Sequence, residues 1–157
     1  MILEKSELKL ENLLSIREKF LQKDLEIKMR EIKEFCEKNF LIVSSITTIT
    51  FEIMQNENNQ QMIDIEILIE IPNQNIPKDL PEGFNYKKQV YIINSLKNHY
   101  EGASQNSINA YNEINKYILE KKLLPITPAY AVSNNPYAQP DNFINLDIYV
   151  GLNPNIM

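Results

Sequence analysis

The sequence is poor in the residues that carry most catalytic and metal chemistry. Its 157 residues include one cysteine, Cys36, one histidine, His99, and three glycines. One cysteine cannot form an internal disulfide or a cysteine-rich metal site, which is compatible with a reducing compartment. His99 has no nearby serine or cysteine and no second imidazole, and the glycines form no phosphate-binding loop. We therefore expect no catalytic residue, no metal and no cofactor, with His99 at a solvent-facing strand end and Cys36 in the core.

Long apolar runs and basic clusters are also missing. The longest apolar clusters, such as residues 40–43, are far too short to cross a bilayer, and acidic residues stand where a signal peptide needs an apolar core. The net charge is −5, and no group of lysines and arginines is large enough to bind a phosphate backbone. These absences predict a cytoplasmic protein that binds neither membrane nor nucleic acid.

The residues that are present predict two similar sets of elements in a chain of ordinary globular composition. The first set is a strand at residues 8–17 that is irregular in its middle, a helix at 24–40, and a hairpin of strands at 45–53 and 62–71. The second set is a strand at residues 86–97, a helix at 104–122, and a hairpin of strands at 129–133 and 143–152. Prolines and a glycine between the sets predict a connector.

Position-by-position alignment supports an internal duplication. Residues 31–36 align with residues 113–118 at an offset of 82, and residues 63–69 align with residues 144–150 at an offset of 81, apolar on apolar and acid on acid. Any two amphipathic helices and alternating strands align to some degree, so chance similarity remains the alternative. The predicted organisation is one α+β domain over residues 1–157, with a first βαββ repeat at about 7–72, a connector at about 73–85 and a second βαββ repeat at about 86–153.

The second half also carries a resemblance to a known family. It contains, in order, His99-Tyr100-Glu101-Gly102 at a strand end, a helix over residues 110–118, Pro128-Ala129-Tyr130, and Leu146-Asp147-Ile148-Tyr149-Val150. Together with the duplicated βαββ pattern, these stretches resemble the GyrI-like effector-binding domain of bacteria. Residues 123–130 are similar to a stretch of small Gram-positive proteins encoded beside LXG-type toxins and type VII secretion components.

The resemblance implies a curved antiparallel sheet with two main helices on one face and a cleft at the pseudo-twofold axis. Regulators of this type bind bulky, often cationic, aromatic compounds in that cleft. No helix-turn-helix precedes the domain in this sequence, and the acidic position of the last strand, usually glutamate, is the shorter Asp147. Neither departure removes the negative charge that a cation would need.

The predicted ligand-binding residues are those that combine this resemblance with side-chain chemistry. All eight tyrosines lie in the second half, and tyrosine offers an apolar face with a polar tip. Tyr111 lies on the buried stripe of its helix, while Tyr149 and Asp147 share a strand face. Glu66 is the repeat mate of Asp147, and Tyr130 completes the set. The alternative is that the tyrosines fill half-buried structural positions and that Glu66 lies on a solvated face.

Two classes of function remain open, with a third less favoured. The first is a non-enzymatic binding module that serves as an intracellular accessory of a toxin or type VII secretion locus and has a protein partner. The second is a sensor or sequestering protein for a cationic aromatic ligand. A ligand binder predicts an enclosed cavity ringed by Tyr111, Tyr149 and an acid, whereas an adaptor predicts a filled cleft and an exposed apolar patch elsewhere. A hydrolase using Asp147 and Glu66 is third, and an export signal at Tyr137-x-x-x-Asp141 is disfavoured by the flanking prolines.

Overall fold

The computed structural model describes residues 1–138 and 142–153, so Asp141 of the Tyr-x-x-x-Asp spacing lies outside the described residues. The strands are β1 (Ile2–Leu21), β2 (Ser45–Gln55), β3 (Gln61–Glu70), β4 (Phe84–Ala103), β5 (Pro125–Asn134) and β6 (Phe143–Leu152), and the helices are α1 (Leu25–Lys38) and α2 (Ile108–Lys121). The order strand, helix, strand, strand thus occurs twice, as the sequence predicts. Within the described part of the chain, no helix combines the length and apolar character needed to cross a membrane.

The six strands form an antiparallel, barrel-like sheet. Their order is β1-β3-β2-β5-β6-β4, and β4 pairs with β1 to close it. β1 and β4 are 20 residues each, longer at both ends than the sequence predicts. The reason is long-range pairing: β1 pairs with β4 from Ile2 to Ile16 and with β3 from Leu13 to Leu21. Two partner strands therefore hold residues whose local pattern does not specify a strand.

Both helices pack on the same face of this sheet, called here the helix face. α1 buries Ile32 and Cys36 against the isoleucines of β3, and α2 buries Ala110 and Ile114 against β4, β5 and β6. Burial raises the pKa of the Cys36 thiol to about 11, which suits an unreactive core residue. The neighbouring pair Thr48 and Ala131 joins the regions under the two helices, because paired residues share a face.

The opposite face, called here the inner face, has its own apolar centre. The inner cluster consists of the buried residues Leu8, Leu10, Leu13, Ile49, Leu68, Val132 and Tyr149, with Val90, Ile92 and Tyr130 packed against it. Leu68 is 1% exposed although it points away from Ile67 and Ile69, which are covered by α1. Closure of the sheet therefore buries β3 on both faces. The centre of the inner face is filled by the chain's own side chains.

The middle of β1 is irregular, as the sequence predicts. Asn12 has a φ of 58°, in the left-handed region that asparagine tolerates better than most residues. Its side-chain amide donates to the carbonyl oxygens of Ile71 at 2.6 Å and Gln74 at 2.9 Å. The local turn of the backbone lets Leu10 and Leu13, three positions apart, both enter the inner cluster. A regular strand would have placed them on opposite faces.

Candidate functional site

Four of the five predicted ligand-binding residues lie on the inner face. Tyr149 belongs to the inner cluster and Tyr130 packs against it, while Glu66 and Asp147 share a strand face with Leu68 and Tyr149 by alternation. Tyr111 does not join them, because α2 lies on the helix face and holds Tyr111 against Ile114 and its neighbours. The expected cavity ringed by Tyr111 and Tyr149 is therefore not formed: the sheet separates the two rings.

Two cavities among the described residues lie away from these four side chains. One of about 460 Å³ is lined by Leu21, Gln22, Lys23, Gln60 and Gln61 near the β2–β3 turn. Another of about 230 Å³ lies on the helix face and is lined by Met29 of α1 and by residues such as Ile46, Ala131 and Leu146. Neither contains a carboxylate of the predicted site.

β2 and β5 pair along only part of their lengths, from Ser45–Asn134 to Thr48–Ala131. Residues 49–55 of β2 and residues 125–130 of β5 lie beyond this pairing, and the region between them is called here the mouth. Two local features limit the pairing. Pro125 and Pro128 cannot donate a hydrogen bond to a neighbouring strand, and β2 carries an irregularity between Thr50 and Glu52.

Glu66 lies beside the mouth, paired across the sheet with Ile49, the first β2 residue beyond the paired seam. Its Oε2 accepts a hydrogen bond from the Ser15 hydroxyl at 2.7 Å and from the Lys87 ammonium at 2.9 Å. The Glu66 side chain is 12% exposed and that of Lys87 is 42% exposed. Burial and the negative charge of Glu66 raise the pKa of Tyr130, while Lys87 opposes that change. The carboxylate and the ammonium are therefore in direct contact, and the phenol lies within range of both charges.

A second ion pair borders the mouth. Arg17 donates from Nε to Asp64 Oδ1 at 3.3 Å and from Nη2 to Oδ2 at 3.1 Å, a bidentate geometry. Its guanidinium carbon lies 3.8 Å from the ring centre of Phe51, which is exposed on β2. The hydrogen bond from Arg17 lowers the pKa of Asp64. The pair fixes one wall of the mouth with a cation stacked on an aromatic ring.

Asp147 lies farther along the inner face, opposite Val132 on β5, and is held by three groups. His99 Nδ1 is 2.7 Å from Oδ1, and the Lys97 ammonium is 3.9 Å from Oδ2. Asn134 donates to Oδ2 at 3.5 Å. Lys97 also lies 5.5 Å from the ring centre of Tyr149. This carboxylate already has the cationic and aromatic neighbours that a ligand would supply.

His99 is half-exposed, as expected for a strand end, but it has two acidic partners. Its Nε2 lies 2.9 Å from Glu101 Oε1, in addition to the contact with Asp147. Hydrogen bonds to Glu101 and Asp147 raise the pKa of His99 above its usual value of 6.5. Sequence reasoning did not pair these residues, because Asp147 is 48 positions away and only the β4–β6 register places it opposite His99.

The raised pKa of His99 predicts a small, pH-dependent contribution to stability. The protonated ring is favoured in the folded state, so the contribution is complete below pH 6.5 and is lost as pH rises through the higher folded value. Urea unfolding of wild type and His99→Gln should differ by less than about 1 kcal/mol near pH 5.5, because the ring is half-exposed. The difference should disappear in mildly alkaline buffer. A difference that grows with pH would contradict the assignment.

The two carboxylates considered as an acid–base pair are not brought together. Two strands separate Glu66 on β3 from Asp147 on β6 in either direction around the sheet, and each carboxylate is bound by its own lysine on β4. In residues 1–138 and 142–153, no group of three or more potential metal-binding side chains is found. The arrangement offers charge and aromatic surface for binding, and it does not place Glu66 and Asp147 where they could act together as an acid–base pair.

Sequence reasoning missed three basic residues of the inner face, Arg17, Lys87 and Lys97. Lys97 and His99 could have been placed on one strand face by their alternation with Leu96 and Asn98. The contact between Lys87 and Glu66 had no such signal, since it crosses from β4 to β3 over the intervening β1.

Comparison with known proteins gives similarity of fold. No protein-family model and no curated protein matches the chain by sequence. The structure of EcmrR in its complex with DNA matches 97% of this chain with a TM-score of 0.73 and 14% identity. The likeness is one of fold alone. The chain spans 57% of the length of EcmrR. Two crystal structures of a hydrolase from Listeria innocua match 98% of this chain and 91% of theirs, with TM-scores of 0.53 and 0.54 and 8% identity.

Proposed function

We propose that this chain is a non-enzymatic, GyrI-like ligand-binding module that takes aromatic cations at the mouth between β2 and β5. The observation that carries the proposal is the setting of Glu66. Its carboxylate is nearly buried at the mouth, lies within electrostatic range of Tyr130, and is neutralised by a lysine that is itself partly exposed. A carboxylate and an aromatic ring in such a setting attract a cation that has an aromatic surface.

The proposal treats the two βαββ sets as repeats of one unit. At the aligned offset, Glu66 corresponds to Asp147, and both bind a lysine of β4 on the inner face. The pseudo-twofold axis would then pass through the filled inner cluster, with one acid on each side. Both acids are nearly buried, with side chains 12% exposed at Glu66 and 17% exposed at Asp147. They differ in position: Glu66 lies where the pairing of β2 with β5 ends, whereas Asp147 lies opposite Val132 in the paired seam.

Fold similarity to a DNA-bound protein does not lead us to propose DNA binding. The net charge of −5 opposes a phosphate backbone, and the basic residues of the inner face are paired with acids. The function that we propose for this chain is therefore ligand binding without contact to DNA.

A fluorescence titration with the aromatic cation N-methylacridinium tests the proposal. Acridine, which is neutral in mildly alkaline buffer, is the uncharged comparison dye. Wild type should bind N-methylacridinium, and Glu66→Gln should weaken binding by about tenfold or more, because the buried charge is lost. Asp147→Asn should have a smaller effect, since His99 and Lys97 hold that residue. Glu57→Gln, in the exposed β2–β3 turn, is the matched control and should bind like wild type. Binding that is indifferent to Glu66→Gln would contradict this site.

A protein-interaction role is the second candidate, and the free edge of β2 favours it. Beyond Thr48 this edge pairs with no strand in the part of the chain that the structure describes, and Ile53 there is 61% exposed. An extended segment of another protein can add to such an edge by backbone hydrogen bonds. The filled inner cluster also fits the arrangement expected of an adaptor. The partner implied by the sequence resemblance is a protein of a toxin or type VII secretion locus. In that case neither dye would bind, and purified proteins of that locus would bind wild type but not Ile53→Lys.

A further inference from the structure

We infer that Lys87 is a specificity-determining residue that occupies the cation position at Glu66 until a ligand displaces it. The inference rests on the proposed function and concerns the same site. Lys87, a residue of β4, competes with every ligand that needs the negative charge of Glu66. It does not compete with ligands that bind without using that charge.

The geometry of Lys87 supports this role. Lys87 pairs with Leu13 on β1, and its side chain reaches over that strand so that Nζ lies 2.9 Å from Glu66 Oε2 on β3. The ammonium thus takes the place that a bound cation would take. Because its side chain is 42% exposed and has a flexible four-carbon stem, Lys87 can move into water without breaking the fold. Ser15 would continue to donate to the carboxylate.

Lys97, the lysine bound to Asp147, would control the binding of a cation less effectively than Lys87 does at Glu66. Lys97 lies 3.9 Å from Asp147, and His99 makes a closer contact with the same carboxylate at 2.7 Å. Removal of Lys97 would therefore leave Asp147 with a basic neighbour. At Glu66, Lys87 is the one basic side chain within ion-pair distance among the described residues, so its departure leaves the carboxylate without an ion-pair partner. The next positive charge, Arg17, lies farther away and is bound to Asp64.

A ligand can bind at Glu66 only if its contacts there are more favourable than the ion pair with Lys87 that it replaces. A cation that offers charge alone only exchanges one ion pair for another, and both ammonium groups also compete for water. A cation with an aromatic surface gains in addition from contact with Tyr130 and with the part of the Phe51 ring that Arg17 leaves exposed. Lys87 therefore excludes small hydrophilic amines and admits aromatic cations, while neutral aromatic compounds are not subject to the competition.

The test compares two nearly isosteric dyes on wild type and Lys87→Met. The readout is the ratio of the acridine dissociation constant to that of N-methylacridinium, in buffer where acridine is neutral. Lys87→Met should raise this ratio about fivefold, because only the cation competed with the lysine. Lys87→Arg should leave the ratio at or below the wild-type value, since the charge is kept. Lys88→Met, an exposed neighbour on β4, is the matched control and should leave the ratio unchanged.

The outcomes separate this inference from the proposed function. If neither wild type nor any folded variant binds N-methylacridinium, the proposed function fails and this inference fails with it. If N-methylacridinium binds in a Glu66-dependent manner but Lys87→Met leaves the ratio unchanged or lowers it, only the role of Lys87 is wrong. If Lys87→Met lowered the dissociation constants of both dyes by the same factor, the inference would also be overturned, because the variant would simply have made more room at the site. Urea unfolding of each variant shows that the protein titrated is folded.

Discussion

Leu68→Ala should lower the free energy of unfolding by about 3 kcal/mol, as much as Ile67→Ala, because both side chains leave cavities in packed regions. Ile67 is 0% exposed under α1, and Leu68 is 1% exposed in the inner cluster on the opposite face. In an open sheet with one solvated face, only one of two successive residues would show such a loss. Urea or guanidinium unfolding of the two variants measures the difference directly.

Ile53→Ala is the matched control for these two variants. Ile53 is on the neighbouring strand β2 and is 61% exposed, so its truncation should cost less than about 0.5 kcal/mol. The contrary result would be a loss of unfolding free energy below about 1 kcal/mol for Leu68→Ala together with the full loss for Ile67→Ala. This would show that the inner cluster is not packed in solution. The closed, barrel-like arrangement of the sheet would then be wrong.

Asn12→Ala should also destabilise the fold strongly, by about 3 kcal/mol. Two terms add. The variant leaves the carbonyl oxygens of Ile71 and Gln74 without the amide that now donates to both, and it places a methyl side chain at a φ of 58°. The same residue turns β1 so that Leu10 and Leu13 share a face, so the strain and the lost bonds act where the sheet closes. Chemical unfolding measures the effect.

Asn12→Gly separates the two terms. Glycine adopts positive φ without steric cost, so this variant loses the hydrogen bonds but avoids the backbone strain. It should be more stable than Asn12→Ala by about 1 kcal/mol, although glycine loses more entropy on folding. If Asn12→Gly were no more stable than Asn12→Ala, the backbone strain at this position would be no larger than the extra entropy that glycine loses on folding.

The elements that the sequence predicts best are those with a strong local period. The helix expected at residues 24–40 is α1, Leu25–Lys38, and the strand expected at residues 62–71 is β3, Gln61–Glu70. In both, the apolar spacing follows from backbone geometry alone. The ends of β1 and β4 were not predicted, because they are held by pairing with each other and with strands far away in sequence.

The same distinction applies to the candidate site. Alternation along β6 correctly places Asp147 and Tyr149 on one face of that strand, and the duplicated pattern led from Asp147 to Glu66. The sequence groups Tyr111 with Tyr149 because Tyr111 lies on the buried stripe of its helix and Tyr149 shares a strand face with the acidic residue Asp147. The structure shows that the two tyrosines lie on opposite faces of one sheet. Which face a helix covers depends on packing, which a local period does not encode.

Local sequence periodicity thus sufficed for the identity and order of most elements and for the residues that share a face within each of them. These properties depend on neighbours one to four positions apart, so they can be recognised without a structure. Closure of the sheet, burial of Leu68, the partial pairing of β2 with β5, and the Lys87 partner of Glu66 were decided by tertiary structure. Each depends on the register between distant strands, and register is set by the combined pairing and packing of the whole sheet.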